Sequence, residues 1–201
     1  MRFRRIPVVL GAALLLAAGA AAAVMSGAAA PGFTIADTAG RAVQLADYKG
    51  KYVVLEWTNP ECPFVRKHYS SGNMQALQKE WGSRDVVWLA INSTNASNSE
   101  FRTPREMTSW MQAQGAAPTA TLLDSTSAAG RAYGAKTTPQ MFVVDPGGKI
   151  VYAGAIDDKR SANPADAKTA HNYVRAALTE AMAGKPVTVA STTPYGCSVK
   201  Y

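Results

Sequence analysis

Two of the 201 residues are cysteines, Cys62 and Cys197, and the first sits where a thiol can act as a nucleophile. In the stretch Leu55-Glu56-Trp57-Thr58-Asn59-Pro60-Glu61-Cys62-Pro63-Phe64-Val65-Arg66-Lys67-His68 an apolar run ends at Trp57 and a polar turn follows. Cys62 then directly precedes a proline suited to the first position of a helix. That order predicts a solvent-reachable thiol at a helix N-cap, where unpaired backbone N–H groups and the positive end of the helix dipole favour the thiolate. Arg66, backed by Lys67, is the expected thiolate-stabilising cation one turn on, and Glu61 opposes it. Such a setting draws a thiol pKa down from ~8.5 into the range ~3.5–7.5. The competing expectation is an inert buried cysteine, which is common among free thiols. Polar flanks, and a strand-to-helix turn at the carboxyl end of a sheet, favour the nucleophile.

Cys197 lies in Pro194-Tyr195-Gly196-Cys197-Ser198-Val199-Lys200-Tyr201, on a polar tail expected to be loosely held. Three roles are open to it. It can resolve an oxidised or mixed-disulfide Cys62, it can form a permanent bridge to Cys62, or it can pair with another molecule. A permanent bridge would close a long loop and contribute roughly 5 kcal/mol by chain entropy.

The elements that must position Cys62 are an alternation of strands and helices. Residues 52–57 and 86–91 are near-continuous apolar runs rich in β-branched and aromatic types, which suits strands covered on both faces. A helical stretch from Pro63 to Trp81, interrupted near Gly72, connects them as a right-handed β-α-β unit. Thr103-Pro104-Arg105-Glu106 is a capping box ahead of a helix that ends before Gly115. A short strand over 119–123, a short helix over 128–133, and a hairpin over 140–153 turning at Asp145-Pro146-Gly147-Gly148 follow. Asn163-Pro164 opens a last helix with Ala167, Val174, Leu178 and Met182 on its apolar stripe and His171 on or beside it.

The chain begins with Arg2, Arg4 and Arg5, an apolar run from Ile6 to Val24, and small-residue sites ahead of Phe33, which predicts a secretory signal over residues 1–30. A membrane anchor is the alternative, but the run is mostly Ala and Gly and cleavable sites follow at once. The formal charge of +7 falls to +4 without that stretch, with 18 basic against 14 acidic residues, an ordinary solubility margin. No basic-aromatic stripe for nucleic acid and no Gly-rich phosphate loop occurs. Two histidines and two cysteines without tight spacing predict no metal site, and no cofactor is expected. His68 falls nearly two turns beyond Cys62 and is expected to point off its face. The division expected is a signal (1–30), one α/β domain (31–185) and a C-terminal tail (186–201).

The strand, turn, Cys62-Pro63 and helix are followed about seventy-five residues later by Thr137-Thr138-Pro139 running into a strand and hairpin. Together they resemble the thioredoxin-like superfamily, and more narrowly its redoxin branch of alkyl hydroperoxide reductases, thiol-specific antioxidants and peroxiredoxin-like proteins. The resemblance spans Pro31 to about Lys185. It implies a central mixed β-sheet flanked by helices and a cis bond before Pro139. It also implies that the Thr138-Pro139 loop binds substrate by offering backbone groups to an extended thiol, and that Glu56, six residues before Cys62, is a buried carboxylate that shuttles a proton. Two departures stand beside the matches. Val65 replaces the second cysteine of C-x-x-C, and Leu55 and Asn59 stand where peroxiredoxins carry Pro and Thr, so the set that polarises a peroxide is incomplete. The function expected is an exported thiol-dependent oxidoreductase in which Cys62 attacks a peroxide or disulfide substrate, Cys197 resolves the product and an external thiol reductant restores it. A disulfide reductase of exported proteins, or a redox-silent binding module stapled by Cys62–Cys197, are the alternatives. No membrane contact is expected after signal cleavage.

Overall fold

The structure is a computed structural model and describes residues 24–201. A short hairpin, β1 (Thr34–Ala36) and β2 (Ala42–Gln44), precedes β3 (Val53–Trp57), in which every residue is buried. The helical stretch after it divides into α1 (Pro63–Ser70) and α2 (Asn73–Gly82), because Gly72 takes a left-handed φ of 75° that a helix cannot continue through. Then come β4 (Val87–Asn92), α3 (Pro104–Ala113), β5 (Ala120–Leu123), α4 (Ala128–Tyr133), β6 (Thr137–Thr138), β7 (Gln140–Val144), β8 (Ile150–Gly154), α5 (Tyr173–Met182) and β9 (Cys197–Ser198).

The main sheet is mixed, in the order β5-β4-β3-β7-β8. β4 lies parallel to β3 on one side and β7 antiparallel on the other, so the strand that delivers Cys62 is at its centre. Both faces are covered, as the continuous apolar runs require. Val54 shares a core with Val65 and Tyr69 of α1, Leu77 and Trp81 of α2, Met107 of α3 and Leu178 of α5. Leu55 and Trp57 point to the other face, against Ile35, Val43 and Tyr133. Alternation along β3 therefore commits Glu56 to the face that α1 covers. The capping box starts α3 as expected, with Thr103 N–H donating to Glu106 Oε2 at 2.7 Å.

Of the expected signal over residues 1–30, residues 1–23 lie outside the described residues, and residues 24–30 hydrogen-bond to the folded unit. Gly27 N–H donates to Ile150 O at 2.8 Å and Ala30 N–H to Gly148 O at 2.9 Å, so this segment runs along the edge of β8 and its turn. The last helix is two pieces, a 3-10 turn over Pro164–Lys168 and then α5. Asn172 restarts the chain as an N-cap, accepting from Arg175 N–H at 2.9 Å, so His171 is an exposed residue before the helix and not part of its stripe. Met182 is 39% exposed. The C-terminal tail is docked, not loose: Thr192 N–H donates to Ala153 O at 3.1 Å and Val199 N–H to Lys136 O at 3.1 Å. No helix among the described residues is long and apolar enough to cross a membrane.

Candidate active site

Cys62 is the N-cap of α1, with Pro63 at the first helical position. The turn that brings it there is closed by Asn59, whose Oδ1 accepts from Glu61 N–H at 2.9 Å and whose carbonyl accepts from Cys62 N–H at 3.1 Å. The sulfur does not cap the helix, since no side-chain bond to the first-turn N–H groups forms. It turns to the neighbouring loop instead, where the thiol donates to Thr138 O at 2.9 Å. Thr138-Pro139 is a cis peptide, as the resemblance implies. Cys62 is only 1% exposed, against the expectation of a solvent-reachable thiol.

The tail lies beside it. β9 pairs antiparallel with β6, and its register sets Cys197 opposite Thr138, so both thiols converge on one backbone unit. Both are free thiols. Cys197 is partly exposed, and burial, together with the adjoining Cys62 thiol, pushes its pKa up to about 11. Tyr195, two residues earlier in the tail, stands edge-on to Phe64 of α1 with ring centroids 5.9 Å apart.

No hydrogen bond joins Arg66 to the sulfur, and its donors are engaged in the turn. Its guanidinium donates to Pro60 O and to Glu61 Oε2, both at 2.7 Å, and Arg102 holds the other oxygen of Glu61 at 2.5 Å. The physical reason is competition: a neighbouring carboxylate and a free carbonyl are stronger partners for a guanidinium than a sulfur engaged elsewhere. Lys67 is also taken. It is buried, and donates to Asp157 Oδ2 at 3.2 Å, Lys159 O at 2.6 Å and the Tyr195 hydroxyl at 3.2 Å. The Tyr195 hydroxyl in turn donates to Asp157. His68 completes this buried group. Asn73 Nδ2 donates to its Nδ1 at 2.9 Å, which leaves the ring proton on Nε2, 3.3 Å from the Tyr195 hydroxyl. Burial first, and then the Lys67 charge, push the His68 pKa down to about 3, so the ring is neutral.

Glu56 is fully buried, as the resemblance implies. It accepts from Trp88 Nε1 and the Tyr69 hydroxyl, both at 2.8 Å, and from Gln78 Nε2 at 3.4 Å. Desolvation raises its pKa, and those three donors offset part of the rise. No hydrogen bond joins it to Cys62; it lies on the same face of β3, under α1 and α2.

Sequence reasoning placed Cys62, Thr138, Pro139 and Cys197, and the fold brings these four together. It missed Tyr195, Lys67, His68 and Asp157 as one cluster. Asp157 lies ninety residues from Lys67 and carries no local signal, whereas an aromatic and a glycine directly before Cys197 were a hint that the tail docks. No group of three or more His, Cys, Asp or Glu suited to a metal occurs among the described residues.

The AhpC/TSA family model matches residues 26–153. Among solved structures, an uncharacterized conserved protein from Geobacillus kaustophilus is 30% identical, with a TM-score of 0.77 over 88% of this chain and 92% of its own. A hypothetical protein from Sinorhizobium meliloti 1021 is 24% identical, with a TM-score of 0.76 over 90% of this chain and 96% of its own. The thioredoxin domain of a thiol-disulfide oxidoreductase from Bacteroides vulgatus is 22% identical, with a TM-score of 0.53 over 65% of this chain and 89% of its own. No curated protein matches.

Proposed function

The chain belongs to the AhpC/TSA family of thiol-based oxidoreductases, and from that premise we propose that it is an exported thiol-disulfide oxidoreductase whose working couple is Cys62 and Cys197. The observation that carries this is the convergence of both thiols on Thr138, one by hydrogen bond and one by strand register. Cys62 is the nucleophile. Its thiolate attacks a substrate disulfide, forming a mixed disulfide and expelling the first substrate thiolate. The Cys197 thiolate then attacks the Cys62 sulfur, expelling the second substrate thiolate and leaving a Cys62–Cys197 disulfide. Two electrons have passed to the substrate, and an external thiol reductant returns them.

The high pKa of Cys197 suits the second position. An attacking thiol loses rate when it is mostly protonated, so Cys197 stays quiet until the mixed disulfide removes the neighbouring Cys62 thiol that helps to raise its pKa. Thr138 and Pro139 present the backbone that an extended substrate segment pairs with, and Glu56 is a buried carboxyl able to hold a proton on the Cys62 face of the sheet. Arg66 is assigned to the turn through Glu61. Disulfides suit this site better than peroxides, because Leu55 and Asn59 stand at the positions that polarise a peroxide in peroxiredoxins. The basic start and apolar run of the sequence support export.

Stopped-flow tryptophan fluorescence of the reduced protein, mixed with hydroxyethyl disulfide or with hydrogen peroxide, tests the proposal. The disulfide should react faster, Cys62→Ser should abolish the signal, and Cys197→Ser should trap an adduct on Cys62 detectable by mass. An unreactive parent protein, or reaction that survives Cys62→Ser, sinks it. Faster reaction with peroxide moves the assignment to a peroxidase with the same cysteines.

A further inference from the structure

Three glycines among the described residues have no room for a Cβ, and all three lie where the C-terminal tail meets the domain. At Gly130 a Cβ would stand 2.7 Å from the Tyr201 ring. At Gly154 it would overlap Thr192 of the tail, and at Gly196 it would overlap the Thr138 carbonyl. Gly196 also has a φ of 139°, which L residues rarely adopt. Such tight approach along a whole segment belongs to a fitted element and not to a terminus resting on a surface.

The tail is fastened on both sides of Cys197. Upstream, the Tyr195 hydroxyl joins the buried Lys67, Asp157 and His68, and so ties the tail to the helix that Cys62 caps. Downstream, Lys200 Nζ lies 3.4 Å from Glu100, Lys200 O accepts from Asn95 N–H at 2.7 Å, and the Tyr201 hydroxyl donates to Ala135 O at 2.6 Å. Between the two fastenings β9 occupies the backbone edge of β6 beside Pro139.

We propose that residues 191–201 are a strap that seats Cys197 on the β6 edge as a resident surrogate for a substrate cysteine, with Tyr195 and Gly196 as its positioning residues. An external disulfide reaches Cys62 only when the strap lifts. This rests on Cys62 being the nucleophile proposed above. The strap has two opposed effects: it gives Cys197 a high effective concentration at Cys62, and it excludes other chains from the same edge by strand addition. The partner it fits is an extended segment with a cysteine flanked by small residues, because the edge accepts backbone approach as close as that of Gly196. Of the parts involved, Gly196 is the most useful to alter, since it lies in the strap and not in the domain core.

The test alkylates the reduced full-length protein with iodoacetamide and reads each cysteine by peptide mass, alongside the rate of Cys62–Cys197 closure under diamide. Gly196→Ala should raise Cys62 labelling at least tenfold and slow closure by a similar factor, and Tyr195→Phe should do both to a smaller extent. A blocked heptapeptide of tail residues 194–200 with Ser in place of Cys197, Pro-Tyr-Gly-Ser-Ser-Val-Lys, added at millimolar concentration should restore protection of Cys62 in Gly196→Ala. A domain merely loosened by the substitution would not be protected by the peptide, which overturns the strap. Labelling of both Cys62 and Cys197 that is the same in parent and Gly196→Ala overturns it as well. A Cys62 that stays unlabelled while Cys197 labels freely leaves the strap lifted and refutes the nucleophile assignment instead.

Discussion

Glu56 sits in a strand with no exposed residue, and its neighbours define which form it prefers. Burial raises its pKa, so the fold favours the protonated carboxyl. A group raised in this way contributes stability that is fully present below its unfolded value and is lost as pH rises through the folded value. Glu56→Gln keeps one acceptor oxygen but replaces the carboxyl O–H with an NH2 whose second hydrogen meets Trp88, Tyr69 and Gln78, which already donate, and should cost about 1–3 kcal/mol near pH 5. The variant cannot ionise, so the gap to the parent protein should narrow towards pH 8. Urea unfolding across that range measures it, and a gap that widens with pH would mean that the carboxylate is the favoured form.

Helix α1 is the element on which the site depends, and its inward face carries charge. Lys67 and Asp157 are both fully buried as a pair. Removing one partner of such a pair typically costs about 3–5 kcal/mol because the other is left uncompensated, whereas replacing both by apolar residues is often neutral. Asp157→Ala should therefore lower the urea midpoint far more than the double change Lys67→Met with Asp157→Leu, and equal losses would refute the pairing as the cause. His68 on the same helix has its folded pKa near 3. The unfolded chain takes up a proton near pH 6.5 and the folded one does not, so stability falls as pH drops from 6.5 towards 3, by up to about 1.4 kcal/mol per unit. His68→Gln should remove that slope. An unchanged acid slope in the variant would place the responsible group elsewhere.

For the molecule as a whole, the Cys62–Cys197 pair links the central strand-helix junction to the far end of the chain. Oxidation closes the chain from Cys62 to Cys197, everything after the central strand β3, into one loop, and the chain-entropy account gives a gain of up to about 5 kcal/mol. The diamide-oxidised protein should unfold at higher urea than the reduced one, and Cys62→Ser should show no such difference. An oxidised form less stable than the reduced one would mean that the bond distorts the docked tail. The remaining surface charge is modest, so salt should alter these midpoints little.

The sequence alone determined the main strands, the placement of Cys62 at the start of a helix and the hairpin turn after β7, because each is written in a local pattern: continuous apolar runs, a proline after the cysteine, turn residues at fixed offsets; the mixed sheet and the Thr138-Pro139 loop followed from the family resemblance. Tertiary structure decided where the charges near the cysteine point. Arg66 and Lys67 are correctly spaced to approach the sulfur, but Glu61 and Asp157 compete for them, and Asp157 comes from a loop that no local pattern connects to α1. It also decided that the tail is docked, since its hold depends on Tyr195 meeting a buried cluster and on Gly130, Gly154 and Gly196 yielding space. Clearance and long-range pairing are properties of surfaces brought together by folding, and no stretch of chain read by itself contains them.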